Sequence, residues 1–221
     1  PSGCGKSTLL KMVAGMLEPS DGRLLVWRRP VAQLHDCPHK MSFVFQSPTL
    51  MPWASVRTNV RLPLDLAGVP RKEADARVME SLALVGLEKF ADALPRALSG
   101  GMQMRVSIAR GLVTQPDLLL MDEPFGALDE ITRHKLDADL LELWRKKKLT
   151  VIFVTHSIHE AVFLSSRVVM MAARPGRVVE EFRIDEPYPR SADFMVTPEF
   201  ARHAKRLQDS LLRASSTDEE A

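Results

Sequence analysis

The stretch PSGCGKST at residues 1–8 constrains the fold of this chain more than any other. It matches the phosphate-loop pattern G-x-x-x-x-G-K-[ST] with Gly5, Lys6 and Ser7 in place, and the pattern's first glycine falls before residue 1. Small residues let successive backbone N–H groups converge on one anion, and a helix beginning near Lys6 adds the positive end of its dipole. Lys6 is then placed for the outer phosphates of a nucleotide, and the Ser7 hydroxyl for Mg²⁺. Ser2, Gly3, Cys4, Gly5 and Thr8 complete the candidate cradle. Cys4 lies among the loop amides at a helix N-terminus, which favours thiolate and predicts a reactive thiol that bound nucleotide would shield. A loop of this kind sits between a strand and a helix, so the fold class is α/β of the P-loop NTPase type.

Hydrophobic periodicity orders the rest. Leu9, Leu10, Val13 and Ala14 give an apolar stripe to a helix over residues 6–16. RLLVW (23–27) and MSFVF (41–45) read as short strands. From Ser47 to about Thr114 the pattern changes to helices and loops, with one helix over residues 71–87 stopping at Gly86 and another over 101–113 capped by Ser99. DLLLMDE (117–123) and TVIFVTH (150–156) are continuous apolar runs ending in polar residues, as strands of a parallel sheet covered on both faces are. A helix over 129–148 separates them and makes a β-α-β unit. RVVMMAARPGRVVEEF (167–182) reads as a hairpin turning at Pro175-Gly176. Beyond Glu186, prolines and an amphipathic helix over 198–213 form an appendage, and the composition of SSTDEEA predicts a disordered acidic tail.

Composition narrows the function. A net charge of +2 gives no argument for nucleic acid. Two cysteines, Cys4 and Cys37, make no disulfide framework and fit a reducing cytoplasm. The polar, glycine-rich first residues do not read as a signal peptide, and VIFV and VVMMAA are too short to span a bilayer. Work at a membrane would therefore go through a partner.

Two further constellations carry chemistry. In LLLMDEP, Asp122 ends a buried strand where it is placed to hold Mg²⁺, and Glu123 follows, placed to polarise a water attacking a γ-phosphate. In ALSGGMQ, Ser99, Gly100 and Gly101 precede a helix and make a second anion cradle from a hydroxyl, bare backbone and a helix N-terminus. One mononucleotide site does not need two cradles. Two on one chain make sense if two chains face each other, each lending its second cradle to the other's nucleotide. The plain alternatives are solvated carboxylates at a strand end and an ordinary N-cap.

These motifs, in this order, resemble the ATP-binding subunits of ATP-binding-cassette (ABC) transporters over nearly the whole chain. PSGCGKST resembles their Walker A loop, LSGGMQ their signature with Met102 where Gln is commoner, LLLMDEP their Walker B segment and GALD (126–129) their D-loop. Gln46 falls at the Q-loop position and His156 at the switch histidine. The resemblance implies that Gln46 senses Mg²⁺ and the attacking water, that His156 contacts the γ-phosphate and that Asp129 couples two sites across a dimer. It implies ATP and Mg²⁺ as ligands, a second nucleotide-binding subunit, and a location on the cytoplasmic face of the inner membrane. FVFQSPTLMPWASVRTNV and ARPGRVVEEFRIDEPYPR resemble the importers of nitrate, sulfonates, taurine or similar solutes, which also depend on a solute-binding protein. There, the patch Leu50, Met51 and Trp53 would dock the transmembrane permease; the alternative is that Trp53 packs inside the helical subdomain.

The implied organisation is an ABC ATPase domain over 1–185, with its core at 1–46 and 115–185 and an inserted helical subdomain at 47–114, then a C-terminal appendage over 186–221. The family carries strands and an adenine-stacking aromatic upstream of Walker A, so the chain is expected to be an N-terminal truncation that binds ATP weakly. Two rivals remain at this point. A soluble ABC ATPase acting on DNA or ribosomes would carry a coiled-coil insert or a second cassette. A degenerate cassette would assemble without turnover, against which stand Lys6, Asp122, Glu123 and His156.

Overall fold

In the computed structural model, which describes residues 3–173 and 175–216, the glycine-rich loop leads directly into helix α1 (Lys6–Val13). α1 is shorter than its apolar stripe predicts. Gly15 (φ 74) turns the chain out of the helix, and the Gly15 and Met16 N–H groups return to the carbonyls of Met12 and Lys11. The single strand predicted over 23–27 is instead a tight hairpin of β1 (Leu25–Val26) and β2 (Arg29–Pro30). Its turn residues Trp27 and Arg28 are both left-handed (φ 51 and 62), the geometry that matches strand twist. β3 (Met41–Val44) follows.

The next segment builds a helical unit from α2 (Val56–Leu66), α3 (Arg71–Leu84) and α4 (Gly100–Leu112). Ser55 and Ser99 cap α2 and α4 by accepting from the N–H groups of Thr58 and Met102. α3 ends ahead of Gly86 (φ 68), a little before the predicted stop. Val56, Val60 and Leu64 of α2, Ala74, Val78 and Leu82 of α3, and Val106 and Ala109 of α4 form one apolar cluster.

β4 (Leu118–Asp122) is buried at every position. α5 (Glu130–Lys147) and β5 (Thr150–Val154) complete the β-α-β unit, and the parallel sheet runs β3-β4-β5, with Val44 opposite Met121 and Asp122 opposite Val154. Alternation along β4 fixes its two faces. Leu118 and Leu120 meet Leu10 of α1, whereas Leu119 and Met121 meet Met104, Ile108 and Leu112 of α4 and Leu136 and Leu140 of α5. The expectation of two covered faces holds for β4 and fails for β5, an edge strand of this sheet whose Ile152 is 39 % exposed.

α6 (Ile158–Leu164), the antiparallel pair β6 (Arg167–Ala172) and β7 (Arg177–Arg183), and α7 (Pro198–Ser216) share a further core of Phe163, Met170, Phe182, Phe200 and Leu207. The segment beyond Glu186 is thus packed onto α6 and the hairpin. Arg190 fastens it: the buried guanidinium donates to the carbonyls of Val162, Phe163 and Ser165 at the end of α6 and to those of Ile184 and Glu186. α7 runs past residue 213 and takes in Ser215 and Ser216, which the tail expectation placed beyond the helix, and residues 217–221 lie outside the described residues. Among the described residues no helix is long and apolar enough to cross a membrane.

Candidate active site

Parallel strands of an α/β sheet end at a common edge, and side chains carried just past those ends converge there. Here the edge collects Asp122 at the end of β4, Glu123 one residue on, and His156 two residues beyond β5. The phosphate loop and the start of α1 lie against it. Gly3 (φ 77) and Gly5 (φ 92) are left-handed, a conformation that opposes side-chained residues by about 1–2 kcal/mol. Among the described residues, its chain neighbours aside, no heavy atom stands within 4 Å of where a Gly3 Cβ would be. Gly5 caps α1 with a left-handed backbone, and the first turn of the helix follows it directly, the end of a helix that favours an anion.

The Ser7 hydroxyl donates to Asp122 Oδ1 at 2.7 Å. A hydroxyl beside a carboxylate is a hard oxygen pair, and it suits Mg²⁺. Glu123 stands between two partners: Oε2 is 3.0 Å from His156 Nδ1, and Oε1 is 4.0 Å from Lys6 Nζ. Its backbone is left-handed (φ 43), uncommon for a residue with a Cβ, and its N–H still reaches the Val154 carbonyl at 3.0 Å. The turn therefore keeps one more rung of the ladder while aiming the carboxylate out of the strand. Gly126 lies under the pair, where a Cβ would come within 3.7 Å of His156 Cε1 and 3.8 Å of Glu123 Oε2.

Among the residues singled out from sequence, Lys6, Ser7, Asp122, Glu123 and His156 are joined by these contacts. Thr8 is exposed on α1, and Gln46 is exposed two residues past β3, beyond the same sheet edge. Ser2 lies outside the described residues. Cys4 corrects an expectation. It is 1 % exposed, its Sγ 3.6 Å from Lys6 Nζ, so the thiol is packed beneath the loop and is no ready target for alkylation. Ser99, Gly100 and Gly101 sit apart, at the start of α4 against α5. The Ser99 hydroxyl accepts from the Met102 N–H at 3.3 Å, and a Cβ on Gly101 would stand 2.8 Å from Thr132 Cγ2. Asp129 caps α5, and the Thr132 N–H at 3.0 Å holds its carboxyl below the ordinary range.

Several organising contacts are not legible in the pattern. Gly176, in the β6–β7 turn, passes so close to the phosphate loop that a Cβ there would be 2.7 Å from the Cys4 carbonyl oxygen. Arg110 of α4 donates to the carbonyls of Pro48 and Thr49, just past Gln46. Asn59, fully buried, accepts from the Met51 N–H at 2.7 Å and donates to the carbonyls of Met51, Ala54 and Ser55. It fixes the loop that presents Trp53, which is 79 % exposed, so the alternative of a packed Trp53 falls away. Leu50 packs on the helical cluster and Met51 is half-buried.

Residues 1–126 match a family model described as ABC transporter. The taurine import ATP-binding protein TauB of Rhizobium johnstonii is 53 % identical over 184 residues, covering 83 % of this chain and 69 % of that protein. The aliphatic sulfonates import ATP-binding protein SsuB of Bacillus cereus is 44 % identical over 191 residues, covering 86 % and 74 %. The dimeric ATP-binding cassette MJ0796, solved in a post-hydrolysis state with ADP and Pi, superposes with a TM-score of 0.71 at 34 % identity, covering 85 % of this chain and 84 % of that one. With the family model covering more than half of its residues and these relatives aligned over most of its length, the chain belongs to the ABC transporter family.

Proposed function

We propose that this chain is the ATP-binding and hydrolysing subunit of an importer for a small solute, such as nitrate, a sulfonate or taurine, working through a separate membrane permease. One observation carries the reading: the Ser7–Asp122 pair and the Glu123–His156 pair meet beside Lys6 at one sheet edge. The loop amides and Lys6 bind the phosphates of ATP. Ser7, Asp122 and Gln46 would hold Mg²⁺, which would neutralise charge on the phosphate oxygens. Glu123 accepts the proton of the attacking water, and His156, hydrogen-bonded to it, contacts the γ-phosphate.

Gly100 and Gly101 lie against Leu128 and Thr132, and with Ser99 they are suited to serving the nucleotide of a second copy. ATP then drives closure only as far as it binds the closed pair more tightly than the open one. The held loop at Leu50, Met51 and Trp53 suits a permease segment, which would keep the chain peripheral on the cytoplasmic face of the inner membrane and in indirect contact with a solute-binding protein. The domain reading that accompanies this is a core at 1–46 and 115–185, a helical subdomain at 47–114 and an appendage from 186. The names of TauB and SsuB support the solute class.

The test is phosphate release by the complex with its permease. Glu123→Gln should keep Mg-ATP binding and lose about 10²- to 10⁴-fold in kcat, the usual effect of removing a general base. Full turnover by that variant would overturn the assignment of Glu123, and no turnover by the unaltered complex would overturn the ATPase reading.

A further inference from the structure

Behind the sheet edge lies a second polar cluster that the proposed chemistry does not use. Glu160 of α6 is 5 % exposed. One of its carboxylate oxygens, Oε2, accepts the Thr155 hydroxyl, and the same hydroxyl oxygen accepts the Ser157 N–H at 2.8 Å. Thr155 and Ser157 flank His156, so two bonds on one oxygen define the turn that carries the imidazole. The other oxygen, Oε1, lies 3.6 Å from Arg133 Nε on α5. Arg133 in turn donates from Nη2 to the Leu128 carbonyl at 2.9 Å, inside the loop that ends at Asp129. Its Nε is buried and makes no hydrogen bond.

A buried N–H held just beyond hydrogen-bond range of a buried carboxylate is a slack connection, since a buried donor left unmade is costly. A shift of well under an ångström in the 126–129 loop would close it. We propose that Arg133 and Glu160 are positioning residues, which carry the placement of the Leu128–Asp129 backbone to His156 through the Thr155 hydroxyl. This rests on the reading of His156 and Glu123 as parts of an ATPase site. The linkage gives the loop that faces a second copy a mechanical route to the imidazole, so closure of the pair and alignment of His156 on Glu123 become one event. The ion pair stays within one chain.

Thr155→Val removes the hydroxyl with little change of volume and none of charge, and Thr155→Ser restores it. Arg133→Gln cuts the bridge, and Arg133→Lys keeps its charge. In the complex with its permease, Thr155→Val and Arg133→Gln should each lower kcat by about 10- to 100-fold, the scale of a misplaced catalytic group, with KM for ATP within about twofold of the unaltered protein. Thr155→Ser should recover most of the rate. Independently of turnover, the ring ¹⁵N signals of His156, assigned by their loss in His156→Gln, should move in Thr155→Val and return in Thr155→Ser. Unchanged kcat and unchanged His156 signals in Thr155→Val would overturn the proposal, as would a raised KM at unchanged kcat. If the unaltered complex fails to hydrolyse ATP, the functional reading falls while the His156 signals still decide the linkage.

Discussion

Asp137→Asn should stabilise the protein, and more so as pH rises. Asp137 lies on the buried face of α5, one turn beyond Arg133, 1 % exposed, and its Oδ1 has no hydrogen-bond partner. Burial pushes its carboxyl up to about 8, helped by the nearby Glu160 and opposed by Arg133. The unfolded chain titrates the same group near 3.9. Between those values the folded state binds the proton and the unfolded state releases it, so stability falls as pH rises through that window. At about 1.4 kcal/mol per pH unit, the ceiling on this loss is ~1.6 kcal/mol at pH 5 and ~4 kcal/mol at pH 7. An asparagine amide is neutral at every pH and does not carry the loss. Urea unfolding of both proteins at pH 5 and pH 7 should show Asp137→Asn ahead by a margin that grows by ~1–3 kcal/mol between them. A margin independent of pH, or a less stable variant at pH 7, would refute the assignment of a neutral buried carboxyl.

Three further changes probe separate parts of the molecule. Trp53→Ala should leave unfolding free energy within about 0.5 kcal/mol, as exposed substitutions do, while weakening capture by the permease in a pull-down titration; a loss of several kcal/mol would mean that the ring is packed. Gly176→Ala should push the β6–β7 turn against the Cys4 carbonyl and weaken Mg-ATP binding by roughly 5- to 150-fold, the affinity equivalent of about 1–3 kcal/mol of overpacking; equal affinities by calorimetry would place that contact outside the binding event. Arg190→Ala strands the carbonyls at the end of α6 and should cost about 3–5 kcal/mol in chemical unfolding, and a loss under 1 kcal/mol would show that water replaces the guanidinium.

Motifs whose chemistry is local were legible in the sequence. Lys6 and Ser7 sit where loop spacing places them, and Asp122 and Glu123 fall where a buried run turns polar. The β-α-β unit was readable because Leu118–Met121 and Val151–Val154 are apolar at a length that suits strands. What escaped was long-range. Arg190 looks like any basic residue in a proline-rich stretch until α6 supplies its carbonyls, and Asn59 looks like an ordinary helix polar residue until Met51 folds onto it. The turn at Trp27 and Arg28 lacks the Asn-Gly or Asp-Gly that normally marks its class, so residues 23–27 carry the pattern of one strand. At Cys4 the loop amides argue for reactivity, whereas packing under the loop decides access.

The helical unit interposed between β3 and β4 has a consequence for the order of folding. The two strands are tied by the Lys40 N–H on Asp117 Oδ2 at 2.8 Å, a contact spanning 77 positions. Closing a flexible span of that length costs roughly 4 kcal/mol in its length-dependent part. Much of it is avoided if α2, α3 and α4 assemble first, because Arg110 then holds the carbonyls of Pro48 and Thr49 and leaves only short connectors to zip. The helical cluster would thus act as a nucleus, and the central ladder would follow it. Val60→Ala in that cluster should slow refolding, whereas Val154→Ala on the edge strand should mainly speed unfolding. If Val60→Ala instead leaves the refolding rate unchanged and all of its effect appears in unfolding, the strands meet first and the helices close over them.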